Sequence, residues 1–96
     1  MLIDTKLITL LMFCQNNYIT VSFGATSKNI NGTYNRFTKT INIDWALNVE
    51  KRYTVFLHEI GHWYLWEFTK QTHTEKEADE KGLHIAQLLD LEETNE

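Results

Sequence analysis

The stretch that most limits what this chain can fold into runs over residues 48–68. Tyr53, Val55, Phe56, Leu57, Ile60, Trp63, Tyr64, Leu65, Trp66 and Phe68 make it apolar almost all the way round at helical spacing. A helix of that kind has no face suited to water, so the rest of the molecule has to pack around it. The chain has 96 residues, enough for one modest core, and a single domain over 1–96 is expected.

The flanking segments supply the packing partners. Residues 5–15 read as a helix, with Leu7, Ile8, Leu10, Leu11 and Cys14 at helical spacing and Asp4 positioned as its cap. The apolar part, 7–14, is too short to span a bilayer. It also lacks the basic lead-in and small-residue cleavage site of a signal peptide, so it reads as a core helix with no membrane role. Residues 19–25 alternate Ile19, Val21, Phe23 and Ala25 with Thr20, Ser22 and Gly24, the pattern of a half-buried strand. The Asn-Gly pair at Asn31-Gly32 marks a turn. Residues 33–36 and 38–44 then read as strands, with Ile41 and Ile43 facing one way and Thr38, Thr40 and Asn42 the other. After the central helix, 69–74 is a polar connection and 75–91 a third helix. Both Thr72…Glu75 and Thr74…Glu77 have capping-box spacing at its start. The expected fold is α+β, with a small, mainly antiparallel sheet packed on the central helix and two further helices. Residues 92–96 read as a flexible acidic tail.

Charge and cysteine content exclude two classes of partner and scaffold. The net charge is −4 and Lys51-Arg52 is the only adjacent basic pair. A nucleic-acid surface needs a basic stripe, so direct DNA or RNA binding is not expected. Cys14 is the only cysteine. It forms neither an internal disulfide nor a Cys-rich zinc site, and this usage suits the cytoplasm.

The chemistry lies inside the central helix. His58-Glu59-Ile60-Gly61-His62 fits H-E-x-x-H. Positions i and i+4 differ by about 40° around a helix and about 6 Å along it, so two imidazoles can point at one ion. Glu59 lies about 100° from His58, beside that line and placed to take a proton from water. Gly61 costs about 1 kcal/mol in a helix interior, which calls for close approach by another segment there. A zinc site needs a third protein ligand. Glu75 and Asp79 share a face of the next helix with Ala78, Gly82 and Ala86. Small residues on that face let the helix press close, bringing Glu75 to the metal and leaving Asp79 behind to accept a ligand imidazole N–H. In a plainer reading Glu75 and Glu77 serve only as acidic first-turn residues, and His58 and His62 are a metal-free core pair. Tyr34 and His73 are candidates for stabilising a transition state, against packing and loop roles respectively.

These residues resemble the ImmA/IrrE-type metallopeptidases among the gluzincins. The resemblance rests on His58 to His62 and on Glu75-Lys76-Glu77-Ala78-Asp79, followed by a helix bearing Leu88-Leu89. Thr33-Tyr34 and Ile41-Asn42-Ile43-Asp44 fit the strand pair before the motif helix. It implies a zincin-like domain with His58, His62 and Glu75 as zinc ligands and Glu59 as the catalytic residue. It also implies a protein or peptide substrate, such as a transcriptional repressor in a phage or mobile-element setting. The chain departs from the family at Gly82-Leu83-His84 and Leu88-Leu89-Asp90-Leu91, where F-A and L-L-M-P are common. A second reading from a different class is a non-cleaving regulatory module that keeps the same fold.

Overall fold

The computed structural model describes residues 2–27 and 29–93. Their elements run α1 (Ile3–Asn16), β1 (Thr20–Gly24), β2 (Gly32–Asn35), β3 (Thr40–Asp44), α2 (Val49–Phe68) and α3 (Glu75–Leu88). The fold is α+β: a small sheet packs on the motif helix α2, with α1 and α3 completing the shell.

The central helix forms where its apolar pattern requires. Asn48 caps it, its side-chain oxygen accepting from the Lys51 N–H at 2.9 Å. Tyr53, Val55, Phe56, Ile60, Trp63 and Leu65 are buried along its length. All of these but Leu65 join Leu10 and Cys14 from α1, Ile41 and Ile43 from β3, and Ile85 and Ala86 from α3 in one core. Burial raises the Cys14 thiol to about 12, so it packs as a small apolar group and is no nucleophile.

The sheet is mixed rather than mainly antiparallel. Its order is β1-β3-β2, and the last strand in sequence is the central one. β2 and β3 pair antiparallel from Gly32↔Ile43 to Asn35↔Thr40, while β1 and β3 pair parallel from Thr20↔Thr40 to Gly24↔Asp44. Connection length accounts for the difference. A tight turn at 36–39 closes the hairpin, with Lys39 left-handed at φ 51°. Residues 25–39 separate β1 from β3, long enough for the crossover that parallel neighbours need. Ile41 and Ile43, expected to share a face, are both fully buried.

Helix ends differ from expectation in two places. α1 begins at Ile3 with Leu2 as an N-cap that makes no side-chain bond, and Asp4 lies in the first turn instead of capping it. An acidic group there still favours the helix through its dipole. α3 stops at Leu88, short of Leu91. Asp90 takes a left-handed φ of 60° and the Leu91 N–H returns to the Ala86 carbonyl at 2.8 Å, turning Leu91 into the core. Of the expected tail, Glu92 accepts from the Tyr53 hydroxyl at 2.8 Å and lies 3.5 Å from the Lys6 ammonium. Residues 94–96 lie outside the described residues.

α2 and α3 touch backbone to backbone. A Cβ added to Gly61 would fall 1.9 Å from the Ala78 carbonyl oxygen, and one added to Gly82 would fall 2.2 Å from the Leu57 oxygen. The two glycines, with fully buried Ala78 and Ala86, set the spacing that brings the start of α3 against the motif. No described helix is long and apolar enough to cross a membrane.

Candidate metal centre

His58, Glu59 and His62 offer ligand atoms that all lie within 4.8 Å of one another. The imidazoles stand edge to face, 86° apart, with Nε2 facing Nε2 at 3.0 Å. One helical turn separates their backbones, so α2 alone fixes this convergence.

α3 adds Glu75. Its Oε2 lies 2.5 Å from His58 Nε2 and 3.2 Å from His62 Nε2. Its neighbour Glu77 is committed elsewhere: its carboxylate accepts from the Thr74 N–H at 3.1 Å while the Thr74 hydroxyl accepts from the Glu77 N–H, a complete capping box. The helix therefore starts on Thr74, not Thr72, and Glu75 is free to turn toward the histidines.

Two carboxylates thus compete to complete the set. Glu59 is buried, only 5 % exposed, and faces β2, where a Cβ on Gly32 would come 3.4 Å from its Oε2. Glu75 reaches both Nε2 atoms directly, and that contact favours it as the third member. In a tetrahedral zinc site with bonds of about 2.0–2.1 Å, ligand atoms stand about 3.3 Å apart. Two of the three separations come near that value, and the His58–Glu75 contact has to open by less than about 1 Å.

The hydrogen-bond partners behind the rings make the same point chemically. Asp79 Oδ1 lies 2.5 Å from His58 Nδ1. A carboxylate only accepts, so Nδ1 carries a proton toward Asp79, and Nε2 is the nitrogen turned to Glu75 and the cluster. Nε2 facing a carboxylate oxygen is satisfied either by a second proton on the ring or by a metal ion between the two, and the donor set of two imidazoles and one carboxylate suits zinc.

Charge in the cluster follows from burial and contact. For His58, burial disfavours the cation, but the Asp79 hydrogen bond, the Glu59 charge and Glu75 outweigh it and raise the pKa. His62 is lowered, chiefly by burial. For Glu75, desolvation pushes the pKa up, but its contacts with His62 and His58 together outweigh that and lower it. Burial lifts Glu59 to about 7, against a lowering pull from His58.

The remaining candidates fall on different sides of the cluster. Tyr34 lines the cleft that holds His58, Glu59, His62 and Glu75, a space of about 720 Å³. Burial and the Glu67 charge raise its hydroxyl to about 12, so it stays protonated. His73 does not line that cleft; its Nε2 lies 2.7 Å from His62 Nδ1, behind the ring. Trp66 is half-buried on the rim, with the Arg36 guanidinium 4.0 Å from its ring centre. Sequence reasoning assigned no role to that stacked arginine, because strand and helix spacing say nothing of which side chains meet across a cleft.

No family model, curated protein or solved structure matches the chain. What stands is the cluster itself. His58-Glu59-x-x-His62 resembles a HExxH-type zinc-binding motif, and its setting, a helix between a small sheet and an acid-bearing helix, is consistent with a zincin-like metallopeptidase fold.

Proposed function

We propose that the chain is a zinc-dependent endopeptidase, with His58, His62 and Glu75 as metal ligands and Glu59 as general base. The observation that carries the reading is the convergence of two imidazole Nε2 atoms and the Glu75 carboxylate within 2.5–3.2 Å, with a buried glutamate adjacent. A zinc ion held there supplies a Lewis-acidic charge that acidifies water and polarises a peptide carbonyl.

The residues do the rest. Asp79 holds the His58 ring by its Nδ1–H, so that Nε2 is the nitrogen presented to the metal. Glu59 takes the proton of the attacking water and passes it to the leaving amine. Its raised pKa suits both halves of that task near neutral pH. Tyr34, protonated and on the cleft wall, can donate to the developing oxyanion. β2 is an edge strand whose residues Gly32, Thr33 and Tyr34 border the cleft. An extended peptide can add to it, with side chains reaching into the groove.

The resemblance to the ImmA/IrrE type points to an intracellular regulator, such as a transcriptional repressor, as substrate. The proposal places the chain in the cytoplasm of its cell, in keeping with a lone buried cysteine. Incubation with candidate regulator proteins, read by mass spectrometry, tests it. Cleavage that stops with chelator, returns with zinc and is missing from Glu59→Ala supports the peptidase. Binding to such a partner without cleavage, equal in wild type and Glu59→Ala, supports the non-cleaving module instead.

A further inference from the structure

We propose that His73 is a positioning residue that fixes the proton of His62 on Nδ1 and so aims the bare Nε2 into the cluster. Only its consequence for metal affinity rests on the zinc reading above. The argument runs along a chain of three groups. His73 Nδ1 lies 3.3 Å from the Gln71 carbonyl oxygen, which can only accept. The His73 proton therefore sits on Nδ1, and neutral His73 presents a lone pair at Nε2. That atom is 2.7 Å from His62 Nδ1, against 3.2 Å from His62 Nε2 to the competing acceptor Glu75 Oε2, so His62 donates along the shorter contact, to His73. Its own Nε2 is left unprotonated, 3.0 Å from His58 Nε2 and 3.2 Å from Glu75 Oε2.

The surroundings hold this chain in place. The connection between α2 and α3 turns through left-handed Lys70, φ 59°, and the Gln71 N–H donates to the Thr69 hydroxyl at 3.4 Å. This shape turns the Gln71 carbonyl toward His73. The Trp66 ring packs against His73 at 5.3 Å between centres, and the His62 and His73 rings lie 4.9 Å apart. The two histidines of the motif are thus oriented by different chemistry: His58 by a carboxylate on α3, His62 by an imidazole from the connecting loop. The loop leaves no added negative charge behind His62.

Long-range proton–nitrogen NMR of the metal-free protein at pH 8 reads the His62 tautomer directly. Wild type is expected to show His62 protonated on Nδ1. In His73→Ala the population shifts toward the Nε2–H form that free imidazole favours. His73→Gln, whose side-chain oxygen can accept in place of Nε2, restores the wild-type form. Zinc titration should then show affinity about 10–100-fold weaker in His73→Ala and near normal in His73→Gln. Thermal melting of each variant confirms that it is folded. A His62 that stays Nδ1-protonated in His73→Ala, or loses that form equally in His73→Gln, overturns the proposal. The tautomer decides it even if the wild type binds no zinc, an outcome that would sink the metallopeptidase reading alone.

Discussion

In the proposed reaction Glu59 is the general base, and its burial makes a signed prediction. Only the ionised carboxylate can take a proton, so kcat/KM should rise with pH through the Glu59 pKa. Burial sets that pKa at about 7 without metal, and a nearby dication pulls it lower. The acid limb should therefore lie at or below neutrality and vanish, with the activity, in Glu59→Gln. A rate that is flat between about pH 5 and about pH 8 would contradict the general-base role. Glu59→Ala should keep its zinc, because the direct Nε2 contacts are made by Glu75. The neighbouring acids separate by the same logic. Glu75→Ala should weaken zinc binding sharply and Asp79→Ala by about 10–100-fold. Glu77→Ala should leave metal affinity nearly unchanged and cost about 1 kcal/mol of stability through the lost capping box. Competition with a chromophoric chelator ranks the three. Helical phase alone distinguished Glu75 from Glu77 in the sequence, since about 200° separates residues two apart. The position of His73 was not legible: a loop histidine has no periodicity, and only the fold brings its ring behind His62.

At the scale of elements, the α2–α3 contact is what carries Glu75 to the motif. Gly61→Ala tests it with an inverted sign. In an open helix the change would stabilise by about 1 kcal/mol. Here the new Cβ falls 1.9 Å from the Ala78 oxygen, and the helices must part. A loss of roughly 1–3 kcal/mol or more is expected, together with weakened zinc binding, since α3 moves as a unit with Glu75. A variant as stable as wild type, with normal metal affinity, would show that the close approach is unnecessary. Gly61 and the small residues Ala78, Gly82 and Ala86 made this contact readable from the sequence. The sheet was less so. Ile41 and Ile43 marked a buried strand, but the parallel pairing of β1 with β3 leaves no local trace, because Ile19, Val21 and Phe23 alternate the same way beside either kind of neighbour. The choice between Thr72 and Thr74 as the cap of α3 was likewise open, as both have a glutamate three residues on.

For the molecule as a whole, the proposed zinc site sets metal and protons in competition for one small cluster. His58 titrates above its ordinary value because Asp79, Glu59 and Glu75 outweigh the cost of burying its charge, while Glu75 titrates below its own and stays ionised. Zinc affinity is fully present above the His58 pKa. It should fall about tenfold for each pH unit below that raised pKa, so the loss begins above ~6.5, and more steeply once His62 is also protonated. Zinc titrations at several pH values read that slope, and an affinity unchanged at about pH 5 would argue against two imidazole ligands. Metal analysis of protein purified without chelator tests the central claim most directly. About one zinc per chain is expected, retained in Glu59→Ala and lost when His58 and His62 are both replaced by alanine. Wild-type protein that carries only trace metal and takes up no added zinc would contradict the account.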